Sequence, residues 1–183
     1  MSAGADWKTE WREALERELR DNILHYWMTR TVDEKNGGFI GRIGDDRLPD
    51  HEADKSLVLN TRILWTFSAA YRAFGDERYL ALAERACKYV MDKFADREYG
   101  GFFWMVDAQG RPVEDKKQVY GQAFAIYALA EYYRAAGRRE ALDKAIETFR
   151  LLERSSFDPA HRGYIEAHAR DWSETDRLSL GGG

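Results

Sequence analysis

Cysteine is almost missing from this chain of 183 residues. Cys87 stands alone, so no intrachain disulfide can form and a reducing compartment is the simplest inference. Its setting, "AERACKYV" on an expected helix, suits a small buried side chain better than a nucleophile. Long apolar runs are missing too. The longest, "AFAIYALA", falls far short of the roughly 20 residues a membrane helix needs. The opening "MSAGADWKTEWRE" is polar and acidic, without an apolar signal core. No excess of positive charge exists either: Lys+Arg number 28 against Asp+Glu 32, a net charge of −4. The basic pairs Lys116–Lys117 and Arg138–Arg139 are too short to make a nucleic-acid surface. The expectation is a soluble, cytoplasmic protein with no nucleic-acid and no membrane partner.

Catalytic signatures are equally scarce. The four histidines, His25, His51, His161 and His168, are scattered, and no two sit at metal-ligand spacing. No pair of acids stands out as a glycosidase dyad, and there is neither a phosphate loop nor a serine elbow. No metal, no cofactor and no catalytic residue is therefore expected within the chain.

What the chain does hold is apolar and aromatic material. Hydrophobic residues make up 44% and aromatics 14%, with six Trp and ten Tyr, enough for one domain with a sizeable core. Such rings fill a bulky core or line a cleft that holds flat sugar faces, and composition leaves both open.

The order in this material is an internal repeat. "NGGFIGRIGDDRLP" at 36–49 returns as "EYGGFFWMVDAQGRP" at 98–112, with Gly38 and Gly101 63 positions apart, and Pro49 and Pro112 likewise. A weaker third copy, "HRGYIEA", places Gly163 another 62 on. Between the loops, residues 55–74 and 117–136 are apolar nearly all round, as helices buried on most sides are. At an offset of 62, Lys55 falls on Lys117, Tyr71 on Tyr133, Arg72 on Arg134 and Gly75 on Gly137, the two glycines being the expected C-caps. Residues 77–95 and 139–153 carry a single apolar stripe among charges, and 7–29 reads the same way. Each loop contains a short hairpin, "FFWMV", a turn at "DAQG", then "RPV". Paired glycines let the backbone turn after each outer helix. Two helices per unit at a period near 62 predict an all-α fold, an α/α toroid, present here as part of an (α/α)6 barrel of helical hairpins. It reads as a single incomplete domain over 1–183 with about two and a half helix pairs, the glycines at 181–183 reading as a linker or truncation scar. An open arc would expose the apolar flank of its last helices and self-associate through it.

Four residues on the inner helices are candidate substrate-binding groups. Asn60 and Gln122 occupy equivalent positions and suggest a hydrogen-bonding lining at the cavity mouth. Arg62 has apolar neighbours on every side in "VLNTRILWTF", so its guanidinium either pairs with an acid such as Asp54 or Glu131 or faces a wet cavity. Its repeat equivalent is Phe124, so the repeat itself does not require an arginine there. Tyr120, one turn from Phe124, is a core tyrosine or a pocket one, while Trp65 and Tyr127 read as packing.

At "LNTRILWTFSAAYR", "DKKQVYGQAFAIYALAEYY" and "GYIEAHARDWSETDRLS", the sequence resembles the cellobiose 2-epimerase branch of the N-acylglucosamine 2-epimerase superfamily, over about residues 33–179. The resemblance implies an (α/α)6 barrel that needs no metal or cofactor. It implies removal of the C2 proton of a reducing-end sugar by a histidine and return on the other face by a second one, through a cis-enediolate. An arginine at the position of Arg62 would bind the sugar oxygens and steady the enediolate, and Tyr120 would line the same pocket. The family's catalytic histidines fall beyond residue 183, so the chain alone is expected to be inactive. Two other readings stay open: part of an (α/α)6 glycoside hydrolase using acids such as Asp54 and Asp115, or a non-enzymatic α/α scaffold.

Overall fold

The computed structural model describes residues 7–174; the expectations for 181–183 and for the end of the third resemblance stretch lie outside them. The chain groups into two compact units, one up to Val32 and one from Asp33 onward. In the first, α1 (Trp7–Arg17) runs through a π-helical segment, Glu18–Leu24, into α2 (His25–Arg30).

The second unit is built from helical hairpins. The inner helices are α3 (Leu57–Phe74) and α5 (Val119–Ala136). The outer ones are α4 (Glu77–Tyr89, extended by a π-helical turn to Phe94) and α6 (Arg139–Ser155). α3 packs on both α4 and α5, and α5 packs on α6. Gly75 and Gly137 end the inner helices as expected, each left-handed at φ 68° with its N–H returned to the carbonyl of Tyr71 or Tyr133. Leu57, Leu64, Phe67, Val90, Phe94, Phe102, Ala125 and Leu129 form the dry core between the layers.

The strands are two or three residues long and do one job. β1 (Arg42–Ile43) and β2 (Pro49–Asp50) make the first hairpin, and β4 (Met105–Val106) and β5 (Pro112–Glu114) the second. β7 (Phe157–Asp158) and β8 (Gly163–Tyr164) pair across the third glycine turn. The residues just before each inner helix are extended rather than helical: β3 (Lys55–Ser56) pairs with β4, and β6 (Lys117–Gln118) with β9 (Ala167–His168). Each inner helix is thus tied at its entry to the hairpin of the following repeat. Leu57 N–H donates to Trp104 O at 3.0 Å and Val119 N–H to Glu166 O at 2.9 Å, satisfying first-turn donors that the helix itself leaves open.

The turn after the outer helix is the same device three times. Asp33, Asp96 and Asp158 each accept two backbone N–H groups on Oδ1, at 2.9–3.2 Å. Four residues on, Gly37, Gly100 and Arg162 hold positive φ and return an N–H to the aspartate carbonyl. The third loop manages this with arginine, which explains why it is the weakest copy in the sequence.

Two buried ion pairs lock this turn to the inner helices. Lys55 Nζ reaches Asp33 Oδ2 at 2.7 Å and Gly37 O at 2.8 Å, and Lys117 Nζ reaches Asp96 Oδ2 at 2.7 Å. Side-chain exposure is at most 1% in either pair. Burial pushes both lysines below their ordinary range while the facing aspartates oppose it. Burial also pushes Asp96 up, but hydrogen bonds from Arg170, Lys117 and the Glu98 and Tyr99 amides hold it well below the usual carboxylate range. Asp96 also holds Arg170, but removing Lys55 leaves the buried Asp33 carboxylate without a paired cation among the described residues. Lys55→Met is expected to cost about 3–5 kcal/mol, read as a fall in the urea midpoint with unchanged slope. A change under about 1 kcal/mol would show that the pair holds nothing together.

Candidate functional site

The exposed face that α3 and α5 share carries one continuous cluster. Tyr127 stacks on Trp65 with ring centroids 5.1 Å apart and planes 13° from parallel. Phe124 meets Tyr127 edge-on at 6.5 Å and Tyr120 at 4.9 Å. The Arg62 guanidinium lies over the Phe124 ring at 6.0 Å. Tyr120 and Tyr127 are half exposed, at 56% and 50%, and Arg62 is exposed as well.

Of the two fates open to Arg62, the geometry therefore takes the wet one. Glu131 is engaged by Arg72 and Arg134 instead, and among the described residues Arg62 has no ion pair. Phe124, marked in the sequence only as its repeat equivalent, is the ring that seats it. Tyr120 stands at the solvent edge of the cluster, not in the core.

The two amides sit elsewhere. Both are wholly buried. Gln122 clamps the backbone of Phe102: its Oε1 accepts the Phe102 N–H at 2.9 Å and its Nε2 donates to Phe102 O at 2.7 Å. Asn60 donates from Nδ2 to Ser56 O at 3.0 Å, and its Oδ1 has no hydrogen-bond partner among the described residues. Here they hold backbone rather than present an open lining, because their side of each helix faces inward.

Among the described residues of the second unit, no histidine joins the cluster. His161 pairs with Asp158 in the third turn. His168 is fully buried on β9, its Nε2 2.9 Å from Ser156 Oγ and its ring 5.6 Å from that of Trp172. Cys87 borders a cavity of about 540 Å³ between the outer helices, lined also by Glu84, Met91, Tyr132, Arg138 and Glu140. Burial and the nearby acids push its thiol up to about 12, so it stays protonated and unreactive.

A profile of the N-acylglucosamine 2-epimerase (GlcNAc 2-epimerase) family matches residues 38–179. The chain belongs to this family. A cellobiose 2-epimerase from Bacteroides fragilis is 47% identical over 169 residues, which is 92% of this chain and 43% of that protein. The structure of cellobiose 2-epimerase from Spirochaeta thermophila superposes with a TM-score of 0.88 at 41% identity, covering 94% of this chain and 43% of that one. That of the Bacillus thermoamylovorans enzyme gives 0.89 at 38% identity, covering 91% and 43%. The chain thus spans less than half the length of these relatives. Its fold is that of the family, an all-α assembly of the (α/α)6 barrel type. A family 76 glycoside hydrolase matches at a TM-score of 0.68 but only 23% identity, a likeness of fold alone.

His168 yields a pH test. Burial pulls it below the ordinary histidine range, against the opposing charge of Glu174 and the backbone bonds of Ser173 and Trp172. The folded state thus favours the neutral ring. The stability this adds is fully present above about pH 6.5, the value in the unfolded chain, and is lost as pH falls towards the folded value. His168→Val, copying the equivalent Val106, should lose less stability than the parent between pH 7.5 and 5 in urea titrations. Equal losses would show that His168 does not couple to folding.

Proposed function

We propose that this chain is the N-terminal part of a sugar 2-epimerase acting at the reducing end of cellobiose-type disaccharides, and that it supplies one wall of the substrate pocket. The observation that carries this reading is Arg62: an exposed guanidinium seated on Phe124 beside Tyr120, on a helix where the repeat asks for an apolar residue. Kinship with the Bacteroides fragilis cellobiose 2-epimerase supports the choice of sugar.

The chemistry follows from the groups. Epimerisation at C2 needs the open-chain sugar, in which the carbonyl at C1 acidifies the C2 proton. A base removes that proton, the electron pair delocalises onto O1 as a cis-enediolate, and an acid returns a proton to the opposite face. Arg62 would donate hydrogen bonds to the two sugar oxygens and stabilise the negative charge as it develops. Tyr120 would orient the ring through its edge and hydroxyl, with Phe124 holding the guanidinium in place. A general base must lie within hydrogen-bond reach of the proton it takes, and no histidine among the described residues of the second unit lies in the cluster. In this reading the acid and base come from the rest of the complete enzyme.

Two outcomes follow. Saturation-transfer NMR with cellobiose should show contact with the parent chain and at least about a tenfold weaker response in Arg62→Ala and Tyr120→Ala, about 1.4 kcal/mol. Equal responses would remove these residues from the site. In deuterated solvent the 183-residue chain should exchange no C2 hydrogen of cellobiose above the enzyme-free background; measurable exchange would show that it holds its own base.

A further inference from the structure

Arg62 is not alone in breaking the repeat at the entry of the inner helices. Tyr120 stands where the first repeat has Val58, Gly121 where it has Leu59, Lys116 where it has Asp54, and Trp104 where it has Gly41. Trp104 and Gly121 form one exchange, a leucine given up and an indole gained. A Cβ at Gly121 would stand 3.0 Å from Trp104 Cζ3 and 3.1 Å from Cε3, so the ring lies directly on the backbone of α5. Gly121 sits within that helix and has no positive φ, so its backbone does not call for glycine. A glycine there costs about 1 kcal/mol against alanine. What it supplies is room for the indole.

The indole is fixed at the mouth end of both inner helices. Trp104 O accepts the Leu57 N–H at 3.0 Å, where α3 begins, and Trp104 N–H donates to Glu114 O at 3.0 Å. The ring rests on the residue next to Tyr120, one turn before Phe124. Lys116 Nζ lies over the indole, 5.9 Å from the ring centre, and is held by Glu114 Oε2 at 3.2 Å. Every one of these groups belongs to the described second unit, so the place of Trp104 is set by this chain itself.

We propose that Trp104 and Lys116 form a second sugar subsite at the rim of the pocket, which takes the non-reducing glucosyl unit of a cellobiose-type disaccharide. The proposal rests on the reading of Arg62 and Tyr120 as the wall that meets the reducing unit, and adds to it a determinant of substrate length. Epimerisation engages C1 and C2 of one sugar unit only, so contacts to a second unit serve selection rather than chemistry. A pyranose offers a flat C–H face and a rim of hydroxyls. The indole suits the first, and an ammonium with three donors and no acceptor suits the second. A rigid indole pinned on a glycine and on the α3 entry meets the sugar with little ordering left to do.

The test is epitope mapping of the full chain by saturation-transfer NMR with cellobiose and, separately, with glucose. The readout is the ratio of saturation on the glucosyl unit to that on the reducing unit, which a simple loss of folded protein leaves unchanged. The parent should saturate both units. Trp104→Ala and Lys116→Ala should each lower the ratio at least about threefold, with the response to glucose kept at the parent's level. Trp104→Phe should keep most of the ratio. Lys116→Ala removes no core contact and carries the test alone if Trp104→Ala does not fold. Arg62→Ala, by contrast, should weaken the response to both sugars. An unchanged ratio in the two alanine variants overturns the second subsite and leaves the reading of Arg62 standing. An equal fall for cellobiose and glucose overturns it as well, since Trp104 would then serve the fold or the reducing unit. A parent that answers to neither sugar overturns the subsite and the reading beneath it together.

Discussion

A lysine ammonium shut away from the protein surface is the constraint on which the second unit depends. Burying such a charge is repaid only where geometry and extra hydrogen bonds are near ideal, and the loop is shaped to supply them. Asp33 faces Lys55 with Oδ2 while its Oδ1 holds the turn, so one carboxylate both bends the backbone and meets the charge. A ring completes the cage: the Lys55 Nζ lies 4.9 Å from the centre of Tyr89, and the Lys117 Nζ 4.9 Å from that of Phe103 and 6.0 Å from that of Trp172. The second glycine of each pair makes this possible. A Cβ at Gly38 would stand 2.6 Å from the Tyr89 ring, and one at Gly101 2.7 Å from Trp172. Aspartate, double glycine and lysine return together in the first two loops, while the ring comes from a different place each time, Tyr89 in the first and Phe103 with Trp172 in the second.

That dependence explains what could be read in the chain and what could not. The period, the capping glycines and the match of Lys55 with Lys117 were visible because each is a residue identity at a fixed offset. The reason for the lysines was not. A pair separated by 21 or 22 residues leaves no local pattern, and a lysine reads by default as a solvated one. The strands β3 and β6 were read into the helices since two residues carry no alternation. Asn60 and Gln122 were legible as paired amides but not in their orientation, because inner helices that are apolar on every side give no hint of which face meets the loop. Gln122 spans the Phe102 peptide; Asn60 is one methylene shorter, and its Oδ1 finds no partner among the described residues.

The third loop shows how far the device tolerates change. Its turn keeps the aspartate and its hydrogen bonds, yet the sequence position 62 after Lys117 is Ser179, so no lysine waits there. Asp158 is met by His161 instead, at the surface. In exchange the third loop sends Arg170 back to Asp96, which thus holds two cations where Asp33 holds one lysine. His168 occupies the place Val106 has one repeat earlier, an apolar position filled by a ring that burial shifts towards its neutral form. The loop's identity lies in its backbone, and its side chains are free to serve the neighbouring repeat.

Departures from the repeat on the exposed face need a different explanation. The repeat reproduces turn, cap and buried pair, so residues needed for stability tend to recur. Arg62 and Phe124 are equivalent positions that do not match, and the structure sets them against each other at 6.0 Å. Folding gives little reason for the arginine. An exposed guanidinium without an acid partner contributes at most about 1 kcal/mol through a ring contact, and an aromatic residue at the same place would extend the stack that Trp65 and Tyr127 already form. What arginine adds is a planar fork of donors lying over the Phe124 ring. Such a fork suits two adjacent oxygens that share a negative charge, the shape the proposed cis-enediolate would present. The repeat is thus broken where the proposed pocket wall would need a donor and where folding does not.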